Sequence, residues 1–321
     1  MTSALESSDQ TPASHTAQAA YRSGLAFAKE GRHEDALAAF DNALAADPRF
    51  VPAWVSRGFA LGKLGKFEAE IESCNRALAL DPGSTAALNA KAFALGMLGR
   101  LNEKAACCEQ VLALDPENAV AWNNRGVALG MLGRYEDELK CCERALKIHP
   151  RYLSAWVNKG YTLGKLGRTD EEIACYDRAL RIYPYYVAAI FGKGVALAHV
   201  RRHREAIGLF DKVIELDPEH AKALYRKGYS LSCLGMHEEA VVVLERALEL
   251  DDTNADAWVI LSNSCFMLGR LDESAKAFDQ AYYIDAHDVR EGVVKSLTLL
   301  KSGSFDDAMK SFSGVFGILL R

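Results

Sequence analysis

The residues of this chain whose types and spacing could do chemistry are its eight cysteines, a His199/His203 pair, a Lys222/Arg226 pair and two Gly-Lys dipeptides. Cysteine thiolates and imidazoles are zinc ligands, and two cysteines can close a disulfide. His199 and His203 lie four residues apart, the spacing of ligands on one helix face. Lys222 and Arg226 have the same spacing and could attract a carboxylate. Gly62-Lys63 and Gly164-Lys165 end like a phosphate loop, but the upstream glycine and the following Ser/Thr are missing. No HExxH motif is present, and no Ser or Cys nucleophile has identifiable partners. The residues that would make an enzyme are therefore absent, and no cofactor is expected.

The cysteines lead to the organisation of the chain. Cys107, Cys141 and Cys175 are spaced by 34 residues, and so are Cys74, Cys108 and Cys142. The same period carries Asp47-Pro48, Asp81-Pro82, Asp115-Pro116, His149-Pro150, Tyr183-Pro184 and Asp217-Pro218, and then Asp251-Asp252 and Asp285-Ala286. Counted from Ala17, nine units start at 17, 51, 85, 119, 153, 187, 221, 255 and 289. Residues 1–16 lack periodic apolar positions and are expected to form a disordered tail; residues 17–321 form the array. Equivalent cysteines on stacked helices would stand roughly 8–10 Å apart, beyond the ~7 Å limit between disulfide-linked Cα atoms. Copied structural thiols in a reducing compartment are the expectation, with no metal. The turn of one unit falls between His199 and His203, so they need not share a face.

Each unit has to position two helices. Trp122, Gly126 and Leu129 form one stripe at helical spacing, Gly133 allows a tight turn, and Leu139, Cys142, Ala145 and Leu146 form a second stripe that Pro150 ends. A single helical hairpin cannot bury its apolar faces, so neighbouring units must stack. Four glycines inside first helices, Gly62, Gly96, Gly130 and Gly164, each cost about 1 kcal/mol relative to alanine. Close helix packing would explain them, and so would an inner groove held open for a ligand backbone.

The pattern resembles the tetratricopeptide repeat. Trp54, Trp122, Trp156 and Trp258 fill its Trp slot; Gly24, Gly58, Gly126, Gly160, Gly194 and Gly228 fill its Gly slot; Ala36/Phe40, Ala206/Phe210 and Ala308/Phe312 keep its A-x3-F element. Departures occur at Glu70, Glu138 and Glu172 in the Ala slot, and at Ala92, Ser262 and Ser296 in the Gly slot. The resemblance implies an all-α, right-handed α-solenoid of stacked helix-turn-helix repeats whose first helices line a concave surface. Lys222 and Arg226 resemble part of the clamp by which some members hold the C-terminal carboxylate of heat-shock chaperones. Gly192, Val157 and Tyr161 occupy its other slots, so chaperone binding is not expected.

On the face assigned to the groove, the residues vary while the frame does not. Val55 and Phe59, Asn89 and Phe93, Asn123 and Val127, Val157 and Tyr161 succeed one another, and Phe191, Tyr225 and Tyr229 continue the row. Asn124 and Asn158 share one slot and could grip a peptide backbone; Lys222 and Arg226 complete the candidate face. Apolar groups interleaved with amides suit an extended peptide or a partner helix. A non-enzymatic protein-interaction scaffold is the reading that follows. The alternative is a regulatory or substrate-recruiting subunit of an enzyme complex, such as a glycosyltransferase, with catalysis on another chain.

Bulk properties agree. A net charge of −5 gives no electrostatic case for nucleic acid or an anionic membrane. No apolar run approaches the ~20 residues of a membrane span, and the first ten residues lack the pattern of a signal peptide, so a cytoplasmic location is expected. The apolar end of the last unit, Phe312 to Leu320, suggests a homo-oligomer contact.

Overall fold

The computed structural model describes residues 12–284 and is all-α there, with paired helices at the 34-residue period. The pairs are α1 (Pro12–Lys29) with α2 (His33–Ala46), α3 (Val51–Lys63) with α4 (Phe67–Leu80), α5 (Thr85–Met97) with α6 (Leu101–Leu114), and α7 (Ala119–Met131) with α8 (Tyr135–Ile148). They continue as α9 (Leu153–Lys165) with α10 (Thr169–Ile182), α11 (Val187–His199) with α12 (His203–Leu216), α13 (Ala221–Cys233) with α14 (His237–Leu250), and α15 (Ala255–Met267) with α16 (Leu271–Ile284). The described chain divides into two compact units between Gly167 and Arg168, so α1–α9 belong to one and α10–α16 to the other. Within each unit every helix packs on its sequence neighbours, and first helices of successive repeats also touch, as in α3 with α5 and α13 with α15. That extra contact brings the first helices closest together and puts them on the inner side of each stack.

One expectation changes at the N-terminal end. Residues 12–16, assigned to the tail, are helical: α1 begins at Pro12, whose fixed φ suits a first helical position, and Ala17 is already buried. The ninth repeat and its apolar end lie outside the described residues.

Local hydrogen bonds close the helices of each pair. The first helix of a pair closes with a left-handed residue that ties off the last carbonyls. After α7, Gly133 (φ 77°) donates to Gly130 O at 2.9 Å and Arg134 donates to Leu129 O at 2.9 Å. The second helix closes through the Asp of the Asp-Pro dipeptide. Asp115 N–H bonds Val111 O at 2.9 Å, and its carboxylate accepts the Glu117 N–H at 3.1 Å. Asn118 then caps α7, its Oδ1 accepting from Ala121 N–H at 3.0 Å. The tryptophans lock this loop: Trp54, Trp122, Trp156 and Trp258 each donate their indole N–H at 2.9 Å to the carbonyl six residues before.

Charge adds a second thread between repeats. Arg57–Asp41 (2.7 Å), Arg125–Glu109 (2.8 Å) and Lys159–Glu143 (3.0 Å) each join a first helix to the second helix before it; Lys193–Asp177 and Lys227–Asp211, both 2.6 Å, do so in the second unit. The carboxylates are exposed, so each pair adds at most about 1 kcal/mol.

Three of the four first-helix glycines, Gly62, Gly96 and Gly130, find their explanation in the Ala slot of the second helix. A Cβ at Gly62 or Gly130 would collide with the carboxylate of Glu70 or Glu138, and one at Gly96 would press on Lys104. Where the Ala slot holds Ala36, Ala206, Ala240 or Ser274, the opposing position is Ala28, Ala198, Ser232 or Phe266 instead. The glycine makes room for a long side chain from the neighbouring helix. Glu70, Glu138 and Glu172 are 1%, 4% and 6% exposed, and Oε2 of Glu70 and of Glu138 has no hydrogen-bond partner.

Burial therefore pushes all three carboxyl pKa values up to about 7. A raised carboxyl pKa means that the stability each group contributes is complete below its unfolded value, near 4.5, and is lost as pH climbs through 7. The triple variant Glu70→Gln/Glu138→Gln/Glu172→Gln is expected to melt higher than the parent at pH 8 and close to it at pH 5, as read by circular dichroism. Gly130→Ala alone is expected to destabilise by about 1–3 kcal/mol through overpacking. Combined with Glu138→Ala it becomes neutral or better, a coupling that a urea-denaturation mutant cycle measures directly.

Candidate interaction face

The inner side of the first unit is built by first-helix positions that recur once per repeat. Leu25, Phe59, Phe93 and Tyr161 are exposed by 43%, 49%, 56% and 53%, and Val127 is half-buried in the same register. One helical turn further on stand Lys29, Lys63, Met97, Met131 and Lys165, all exposed. These two rows form a stripe of aromatic and aliphatic groups with lysines interspersed. Lys165 Nζ lies 5.3 Å from the centre of the Tyr161 ring, and the Phe67 ring meets Phe93 edge-on at 6.3 Å. Such contacts hold the rings in place while one side of each stays open to solvent.

The other predicted face residues divide by burial. Asn89 and Lys222 are exposed; Asn124, Val157 and Asn158 are half-buried. Val55 is buried, packed with Ala77 and Ala87, and Asn123 is only 4% exposed. Asn158 Nδ2 donates to Asn123 Oδ1 at 3.0 Å, so these two amides bond to each other across a repeat boundary. The register that brings Val55 and Asn123 to the groove side also presses them against the next repeat. They belong to the core, not the surface. In the second unit, Tyr225 is likewise buried, its hydroxyl 3.5 Å from Asp256 Oδ2 and the Arg226 guanidinium 5.2 Å from its ring centre. Phe191 is half-buried, its ring 5.9 Å from Phe210 and 5.2 Å from His220. Tyr229 is half-buried, 5.9 Å from the His203 ring.

Leu25, Lys63, Met97, Met131 and Lys165 are face residues that the sequence reading passed over. The signal was present, since Met97 and Met131 occupy one slot of the repeated turn, each directly after a glycine.

The cysteines are free thiols, all buried except Cys233. Burial pushes the Cys74 and Cys108 thiols up to about 12 and about 11, which keeps them protonated and unreactive at neutral pH. Cys74 Sγ fills the space over Gly58, and Cys141 and Cys142 that over Gly126. Among the described residues no three His, Cys, Asp or Glu side chains converge as metal ligands would, and no helix is long and apolar enough to cross a membrane.

Comparison with known proteins agrees with the repeat architecture. Family models described as "Tetratricopeptide repeat" match residues 14–85, 119–152 and 153–186. The chain is a tetratricopeptide-repeat protein. Residues 199–281 match the family described as "Anaphase-promoting complex, cyclosome, subunit 3". Comparison with curated proteins gave no match. Among solved structures, a tetratricopeptide repeat protein from Parabacteroides merdae superposes with a TM-score of 0.66 at 15% identity, over 78% of this chain and 99% of that one. PilW, a type IV pilus biogenesis factor, gives 0.58 at 21% identity over 62% and 92% of the two chains. PilF from Pseudomonas aeruginosa gives 0.55 at 17% over 65% and 95%. At these identities the likeness is one of fold. Tetratricopeptide repeats serve as protein-interaction modules, and this chain is accordingly an interaction scaffold.

Exposure separates the face from the core in a way stability measurements can read. Phe59→Ala, Phe93→Ala and Tyr161→Ala are each expected to cost well under the loss at Phe191→Ala, for which about 2–4 kcal/mol follows from truncating a ring packed on Phe210. Urea denaturation of the four variants provides the ranking.

Proposed function

We propose that this chain is a non-enzymatic scaffold that holds an extended peptide or partner helix along the first-helix face of its first unit. The observation that carries the reading is the stripe of exposed apolar side chains, Phe59, Phe93, Met97, Met131 and Tyr161, running in register from repeat to repeat. Side chains spaced by the helix–helix repeat match the periodic anchors of an elongated ligand, whereas scattered exposed apolar residues would not. The face is built on packed helices, so little ordering cost opposes binding. In these two rows the charged groups are Lys29, Lys63 and Lys165, with no carboxylate. A ligand that pairs apolar with acidic side chains fits that character, although the chain as a whole is acidic.

The test is selection of peptides from a displayed library on the full chain, followed by affinity measurement against Phe59→Ala/Phe93→Ala/Tyr161→Ala. Selected peptides should carry apolar and acidic residues and lose about tenfold or more in affinity with the triple variant, whose melting temperature stays near the parent's. Peptides that bind the variant equally well would overturn the reading.

A further inference from the structure

The α11–α12 turn differs from every other first-helix turn among the described residues. Gly31, Gly65, Gly99, Gly133, Gly167, Gly235 and Gly269 adopt φ between 71° and 77°, and at the equivalent place Arg201 is held at φ 62°. The hydrogen bonds are those of the glycine turns: Arg201 N–H to Ala198 O at 3.0 Å and Arg202 N–H to Leu197 O at 2.9 Å. The fold thus keeps the left-handed conformation and places in it a side chain that disfavours it. Backbone strain of this kind gathers where a side chain has work to do.

Arg201 borders a cavity of about 460 Å³, lined also by Ala198, His199, His203, Tyr229 and Cys233. No carboxylate lines it. His203 is only 8% exposed, and its Nδ1 has no hydrogen-bond partner. His33 and His237 hold the same helix position with the same unpartnered atom, but they are less buried and follow glycine turns. The His203 ring meets Tyr229 edge-on at 5.9 Å. Burial, and next Cys233, to which the phenol is hydrogen-bonded, push the Tyr229 phenol up to about 12, while the Arg226 and Arg201 charges draw it down. Burial and Arg201 lower the His203 pKa, which leaves a neutral imidazole able to take up a proton when negative charge arrives.

We propose that this cavity binds a single oxyanion, a carboxylate or a phosphate, with the Arg201 guanidinium as the permanent charge and the His203 imidazole and the Tyr229 hydroxyl, turned from Cys233 to the anion, as further donors. A guanidinium fork beside hydroxyl and imidazole donors, with no carboxylate in the lining, is the chemistry that planar and tetrahedral oxyanions take. The cavity is of ordinary small-ligand size. It stands at the turn, built by different residues from the Lys222/Arg226 pair, and nothing in it depends on a peptide lying along the first unit.

The decisive variant is Arg201→Gly, which restores the residue the other turns carry and so preserves or raises the melting temperature. The full chain is titrated with inorganic phosphate, with an N-acetylated alanine tripeptide bearing a free α-carboxylate, and with the amidated form of that tripeptide. Binding is read from the NMR signals of the His203 imidazole. The expected result is a saturable shift in the parent, weakened about tenfold or more in Arg201→Gly and also reduced in Tyr229→Phe, which keeps the ring against His203. Saturation by phosphate alone identifies a free anion, and saturation by the carboxylate but not the amide identifies a peptide carboxylate. A shift unchanged in Arg201→Gly, or a parent that shows no saturation with either anion, overturns the proposal.

Discussion

The close approach of the two helices within each hairpin is the constraint on which the rest of this structure depends. Gly24 faces the Phe40 ring, Gly194 the Phe210 ring and Gly228 the Leu244 side chain, each so closely that an added Cβ would collide. One helix contributes a groove without a side chain and the other a knob that fills it, so hairpin spacing is set by a contact that tolerates little change. Because the knob lies on the second helix and the groove on the first, the outer surface of the first helix is left over. That surface meets the next repeat along one edge and opens to the inner side along the other.

The same logic governs the position one turn further along. In several repeats the contact is exchanged for a longer reach: Gly62 under Glu70, Gly96 under Lys104 and Gly130 under Glu138. Repeats with alanine or serine on the second helix carry Ala28, Ala198, Ser232 or Phe266 opposite. Where the second helix sends in a long side chain the first helix carries glycine, as expected of a close-packed interface. The carboxylates brought in this way are buried without a cationic partner, so they fold most favourably as neutral acids. The glycines that looked like an invitation to a ligand backbone are instead filled from within.

The two departures from the repeat have different physical meanings. The buried glutamates are matched by a compensating glycine, and the pair remains a packing unit. Arg201 has no such compensation: the turn keeps its left-handed geometry and hydrogen bonds while losing the residue that suits them. Around it a buried imidazole, a phenol and a thiol enclose a cavity, and no other described first-helix turn carries a non-glycine residue at positive φ.

The period, the helix pairs and their ends were legible in the sequence because they rest on local chemistry repeated many times: a glycine where φ must be positive, an aspartate that folds back on its own loop, a proline that cannot continue a helix. The tryptophan slot was legible as a position, though its indole bond to a carbonyl six residues away was not. Tertiary packing alone decided which residues on a first helix face water. Val55 and Phe59 are one turn apart on the same helix, yet Val55 is 8% exposed and Phe59 49%. A sequence period assigns a residue to a side of its own helix. Whether that side is covered depends on the side chains of the next repeat, which is how Asn123 came to be spent on Asn158, and Tyr225 on its own core, while Met97 and Met131 were left in the open.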